Sequence, residues 1–107
     1  MGEDAVWRAL SSPIRRELLD RLVPGPMTTG ELAATRPELS RFAVMQHLDV
    51  LYSAGLLLVR REGRRRLNYV NAVPVQQVCE RWLQGLSGRS AQAATAFKRH
   101  VEQTSNP

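Results

Sequence analysis

The 107-residue chain is poor in the residue types that disulfide scaffolds, metal centres and most hydrolases depend on. It has one cysteine, Cys79, and two histidines, His47 and His100, in distant segments. A single thiol excludes an intrachain disulfide, so the fold cannot rest on oxidation. The expectation for Cys79 is a buried small hydrophobe rather than a redox switch. A tetrahedral zinc site needs several Cys or His ligands, normally in close pairs, and this chain offers no such set. It also lacks a glycine-rich phosphate loop and any nucleophile–base pair, which argues against an enzyme and against a bound cofactor. The longest unbroken apolar stretch, Ala54 to Val59, is far too short to span a bilayer, and the N-terminus shows no basic-then-apolar leader. The expectation is a cytoplasmic protein with no membrane partner.

Lysine is scarce as well, and that scarcity is informative. Of fifteen basic residues only Lys98 is lysine, against ten acids, for a net charge of +5. Arginine forks pair bidentately with phosphate and with guanine edges, which the lysine ammonium cannot do. Net charge alone does not name a partner, but clustering does. Arg60, Arg61, Arg64, Arg65 and Arg66 fall within seven residues, diluted by Glu62 and Gly63.

A chain this short has room for one domain, here residues 1–107, and buries roughly 65% of its unfolded surface. The spacing predicts a short helix over 3–10 carrying Val6, Trp7 and Leu10. Ser12 and Pro13 cap and open a second helix, with Ile14, Leu18, Leu19 and Leu22 on one face. Pro24-Gly25-Pro26 stops it. Thr28-Thr29 with Glu31 starts a third helix that runs through Ala34. Ser40 caps a fourth from Arg41 to about Ala54, closed by Gly55. The period then switches: Leu56–Arg61 and Arg66–Val70 read as a hairpin joined across Glu62-Gly63. After Pro74 a helical stripe returns with Val75, Val78, Cys79, Trp82, Leu83 and Leu86, and a weaker helix is predicted from about Ser90 to Gln103. The fold class is mainly α with a small β-hairpin (α+β), a winged helix-turn-helix in the order α-α-α-α-β-β-α-α. Its DNA-binding core spans about 13–72, with dimerisation helices about 3–10 and 74–103.

At 100° per residue the fourth helix turns Val44, Leu48 and Leu51 inward. Phe42, Gln46, Asp49 and Ser53 fall opposite, with Met45 at the edge. Apolar side chains on a solvent face make sense in a major groove, where they meet thymine methyls and Gln46 can read adenine. The plainer alternative is that Phe42 packs on a neighbouring helix and Gln46 is solvated. Ser40 and Arg41, at the helix start, suit phosphate. His47 reads either as a boundary histidine or as a phosphate donor. Thr28 and Thr29 at the start of the third helix complete the candidate DNA-binding set with Ser40, Arg41, Phe42, Met45, Gln46, His47, Arg61, Arg64, Arg65 and Arg66. Clustered arginines repel one another unless a polyanion is near, which favours a wing on phosphate or in the minor groove over a solvated turn.

The stretch LSRFAVMQHLDVLYSAGLLLVRREGRRRLNYV resembles the arsenical-resistance-repressor (ArsR) family. The resemblance rests on Leu39-Ser40, Ala43-Val44, His47-Leu48, Ala54-Gly55-Leu56, Arg61-Glu62-Gly63-Arg64 and Tyr69, and with ALSSPIRRELLDRL it covers roughly 5–86. It implies a symmetric homodimer built from the first helix and the helices after the wing, and Val6, Trp7, Val75, Val78, Trp82 and Leu86 are the candidate interface residues. Two-fold symmetry then implies an inverted-repeat operator. Many relatives sense metals through paired cysteines on the third helix, where this chain reads Glu31-Leu32-Ala33-Ala34-Thr35. Other relatives use acid and histidine ligands along the helix after the wing, where 74–86 offers only Glu80 and Cys79 and no histidine. Asp49 stands where relatives often carry a basic residue, and Phe42 and Met45 replace smaller or polar ones.

The function expected is a sequence-specific transcriptional regulator, an autoregulating repressor acting as a homodimer on double-stranded operator DNA, with a small-molecule or protein effector not identified by the residues. The alternative is a winged-helix interaction module that needs a co-regulator or ligand to bind DNA, acting as an activator.

Overall fold

Helix boundaries in this chain are set by side chains that satisfy the backbone groups a helix end leaves open. In the computed structural model, which describes residues 2–86 and 98–102, α1 (Glu3–Leu10) and α2 (Pro13–Leu22) meet at Ser11-Ser12. The Ser12 side chain accepts from the Arg15 backbone N–H, and Pro13 occupies the first helical position. Arg15 and Arg16 then reach back over the end of α1. Arg15 donates from Nε to Ala9 O at 2.7 Å and from Nη2 to Arg8 O at 2.9 Å, and Arg16 Nη1 donates to Leu10 O at 2.6 Å. Two cations on the open carbonyls of a helix C-terminus satisfy them and oppose the negative end of its dipole.

After Pro24-Gly25-Pro26 the chain makes a short strand β1 (Met27–Thr28), which the sequence reading missed. It runs into α3 (Thr29–Ala34) through a complete capping box. Thr28 Oγ1 accepts from Glu31 N, and a Glu31 carboxylate oxygen accepts from Thr28 N. Hydrogen bonding to the Thr28 backbone N–H, and after it to the Thr28 side chain, holds the Glu31 carboxyl below its ordinary range, with the Arg65 charge adding to the effect. α4 (Arg41–Ser53) begins at Ser40, whose side chain accepts from Ala43 N at 3.0 Å. It ends in a Schellman motif: Gly55, at φ 80°, donates to Tyr52 O, and Leu56 N donates to Leu51 O.

Strands β2 (Leu57–Glu62) and β3 (Arg65–Val70) pair in antiparallel register from Leu57↔Val70 to Glu62↔Arg65. Two residues, Gly63 and Arg64, close the hairpin. Gly63 has φ 60°, the positive angle that the first position of a II′ loop demands. β1 adds to the other edge of β3 through Met27↔Asn68 and Thr28↔Leu67, so the sheet order is β1-β3-β2. The expected hairpin is therefore a three-stranded sheet with β3 in the middle. Two residues carry too little periodicity to announce a strand, and β1 forms because β3 offers it a free ladder edge.

Leu18, Leu22, Leu32, Val44, Leu48, Leu51, Leu56 and Leu57 form the core, each at most 2% exposed. Two polar side chains are buried with them, Thr29 and Asn68, and Asn68 Nδ2 donates to Met27 O and Thr29 Oγ1, both at 3.2 Å. Asn71 closes the sheet base by donating from Nδ2 to Gly55 O, and its Oδ1 accepts from Val73 N at the start of α5 (Val73–Leu86).

The described chain forms two compact units, residues 1–75 and 76–107. Within the second, Cys79 is exposed, which corrects the expectation of a buried thiol. Among the described residues of α5, Trp82 at 48% and Leu83 at 68% are exposed as well. The predicted last helix lies mostly outside the described residues; its 98–102 portion is helical.

His47 on α4 lies with Nδ1 3.3 Å from Arg15 Nη1 of α2. Arginine can only donate, so Nδ1 accepts and the ring is neutral. Burial, followed by the Arg15 charge, lowers the His47 pKa from its usual 6.5. A depressed histidine pKa favours folding above the unfolded-state value and loses that contribution as pH falls below about 6.5 toward the folded-state value. Thermal unfolding followed from pH 7.5 to 5.5 is expected to show a steeper loss of Tm in the wild type than in His47→Gln; parallel curves would refute the role given to the ring.

Candidate nucleic-acid interface

The inward stripe of α4 determines what its outward stripe can present. Val44, Leu48 and Leu51 are fully buried, so Phe42, Gln46, Asp49 and Ser53 face solvent as the helical wheel requires. Phe42 is 72% exposed, so within residues 1–75 it does not pack against a neighbouring helix. Arg41 and Ser40 are exposed at the helix start, although the Ser40 hydroxyl already caps the Ala43 N–H.

The wing rises beside this face. Arg61, Arg64 and Arg65 are exposed around the Gly63-Arg64 loop. An open cleft of about 520 Å³ runs between wing and helix, bordered by Thr28, Arg41, Phe42, Met45, Arg61 and Arg65. It is a basic channel with an apolar patch in its floor, the combination that suits a phosphate backbone passing over base edges. Residue types that start far apart in the chain, at 28–30, 41–45 and 61–66, are brought to one surface.

Three members of the expected set are placed differently from the rest. Thr29 is 5% exposed and its hydroxyl accepts from Asn68, so it serves the junction of α3 and β3 rather than an outer surface. His47 points toward α2 and Arg15, in keeping with a boundary histidine. Arg66 is turned inward: its side chain is 11% exposed, and Nη1 donates to Asp49 Oδ1 at 3.3 Å. Asp49, an acid on an otherwise basic face, thereby has a cation of its own. Sequence reasoning passed over this pair: Asp49 on a basic face hints that some cation lies near, but nothing local singles out Arg66 as that cation.

Of the apolar positions expected at a subunit interface, Trp7 is 48% exposed on α1 and Trp82 48% exposed on α5. Val75 is half-buried. Val6 and Val78 are buried, at 4% and 8%, and cannot offer much surface to a partner. The Leu86 side chain lies outside those described. Val73 and Leu83, at 52% and 68%, add exposed apolar area that the earlier set omitted. Among the described residues no group of three His, Cys, Asp or Glu is placed to hold a metal ion, and no helix is long and apolar enough to cross a membrane.

Comparison with known proteins agrees with this geometry. A family model described as a helix-turn-helix domain matches residues 10–60. The HTH-type transcriptional regulator Rv2034 of Mycobacterium tuberculosis is 47% identical over 64 residues, covering 60% of this chain and 59% of its own length. The transcriptional repressor SdpR of Bacillus subtilis is 36% identical over 59 residues, 55% of this chain and 64% of SdpR. Those two matches span less than two thirds of each relative. The uncharacterized HTH-type regulator YuzN of Bacillus subtilis is 34% identical over 89 residues, covering 78% of this chain and 97% of YuzN. An ArsR-like transcriptional regulator from Rhodococcus sp. RHA1 superposes with a TM-score of 0.74 at 26% identity, over 94% of this chain and 90% of that one. With the tandem helices, the arginine wing and a relative matched nearly end to end, the chain belongs to the ArsR family of winged helix-turn-helix transcriptional regulators.

Proposed function

We propose that this DNA-binding regulator is a repressor of its own promoter that acts as a homodimer on an inverted-repeat operator. In this reading α4 enters the major groove, Gln46 and Phe42 meet base edges, and Arg61, Arg64 and Arg65 hold the backbone or the adjacent minor groove. The observation that carries it is the single cleft shared by the exposed face of α4 and the arginines of the wing. Phe42 at 72% exposure supports the same reading, because apolar area left in water is costly unless a partner covers it. Repression is the sense suggested by the relative SdpR. The dimer is supported by Trp7, Val73, Trp82 and Leu83, large apolar side chains left exposed on α1 and α5. Two-fold symmetry would set the recognition helices about 34 Å apart, one turn of DNA.

Fluorescence anisotropy with the protein's own upstream region against a scrambled duplex, across a salt series, tests the reading. Two protomers bound tightly and selectively to the upstream fragment is the expected result. Equal, weak and steeply salt-dependent binding to both would favour an interaction module that needs a ligand or co-regulator.

Gln46→Ala is expected to relax preference at particular base pairs and cost about 1–3 kcal/mol on the preferred duplex, measured by competition binding. Arg64→Ala should instead weaken all duplexes about equally and lower the salt slope by about 1. The reverse pattern would move the reading face away from α4. In sedimentation, Trp82→Ala should shift the dimer to monomer, and an unchanged dimer would exclude α5 from the interface.

A further inference from the structure

Strand alternation sends Arg66, Asn68 and Val70 to one face of β3, the face that looks onto the helix-turn-helix. Asn68 ties that face to the start of α3 through Thr29 and Met27. Arg66, two residues nearer the wing tip, ties it to α4. Its Nη1 lies 3.3 Å from Asp49 Oδ1 and 3.3 Å from Met45 Sδ, and its guanidinium carbon sits 6.0 Å from the centre of the Tyr52 ring. Met45, Asp49 and Tyr52 are spaced i, i+4 and i+7, so three successive turns of α4 hold one guanidinium. The Arg66 side chain also borders two open clefts, one shared with Phe42 and Met45 and the other with Tyr52 and Val59. It stands between them as a post.

We propose that Arg66 and Asp49 are positioning residues that set the pitch of the wing against the recognition helix, and that neither reads nor grips DNA directly. This rests on the DNA-binding reading above and gives Arg66, a candidate DNA contact in the sequence, a different part. Arg61 lies directly across the ladder from Arg66, and two like charges so placed repel. Asp49 offsets that repulsion from the helix side, so the wing can carry an arginine at each of these positions without opening. The planar guanidinium suits the place: its broad fork meets a carboxylate, a thioether and an aromatic ring at once, which the compact lysine ammonium is less well shaped to span. With only 11% of its side chain exposed, Arg66 presents little surface to a phosphate, whereas Arg61, Arg64 and Arg65 stand outside it.

The sign of one substitution separates this from a direct contact. Asp49→Asn removes a negative charge from the DNA-facing side. If Arg66 gripped phosphate, that change would release it and tighten binding. As a positioning pair, Asp49→Asn and Arg66→Gln should each weaken binding about tenfold. The ligand is a duplex enriched by the wild-type protein from a random pool, measured against a scrambled duplex of the same composition. The double variant should bind no worse than Arg66→Gln alone. Amide hydrogen exchange of residues 60–66 in the DNA-free protein should speed up alike in both single variants while overall Tm holds within a few degrees. Tighter or unchanged binding by Asp49→Asn, additive losses in the double variant, or unchanged hairpin exchange would each overturn the proposal. Failure of the wild type to enrich any duplex would overturn the DNA-binding reading and this role with it, whereas enrichment with additive losses would overturn the positioning role alone.

Discussion

Everything the molecule presents outward depends on the burial of one stripe of α4. Val44, Leu48 and Leu51 are excluded from water against leucines contributed by α2, α3 and the start of the wing. A buried leucine contributes about 1.5–3 kcal/mol, so three neighbouring positions on one helix are enough to fix its rotation about its own axis. Once that rotation is fixed, the positions two or three residues away have no freedom: Phe42, Gln46 and Asp49 must face solvent. The exposed face of α4 is thus a by-product of the core. Nothing on the outer side of α4 needs to stabilise the helix, because Ser40 and Gly55 finish its ends and the inner stripe anchors its middle.

A second layer of organisation is polar. Helix ends, the wing strand and the α1–α2 corner are all secured by side-chain hydrogen bonds, some donated and some accepted. Arg15 and Arg16 cover the carbonyls at the end of α1, Thr28 and Glu31 close on each other at the start of α3, and Asn68 joins the central strand to α3. Hydrogen bonds of this kind contribute modestly each, but leaving a buried partner unmet costs more than forming the bond contributes. They therefore act more as constraints on geometry than as sources of stability, and they suit a small domain in which the relative angle of wing and helix matters.

Much of this was legible in the sequence because it is local. Ser12-Pro13, Thr28 with Glu31, Ser40, and Gly55 announce helix ends through their own chemistry, and the structure puts the ends at or next to those residues. The inward stripe of α4 followed from periodicity alone. What could not be read was non-local. β1 exists because Met27 and Thr28 meet Asn68 and Leu67, about forty positions away. The inward turn of Arg66 depends on Asp49 and Tyr52 arriving from another element, and nothing in a run of five arginines marks one of them as different. The burial of Thr29 has the same origin, an asparagine on a distant strand. Cys79 was misread because a position on a stripe that is apolar by composition can still stand exposed.

The separation of inner and outer stripes on α4 also bears on how such a protein diversifies after gene duplication. With α4 as the proposed reading helix, a copy could exchange the residues at 42 and 46, and with them its preferred duplex, while the leucines that build the domain stay as they are. Position 49 is different, because it answers to 66 on the wing; a change at either would have to be matched by the other. New binding preferences are therefore open to single steps at the first two positions and need paired steps at the third, so paralogues should part company first where the helix owes nothing to the sheet.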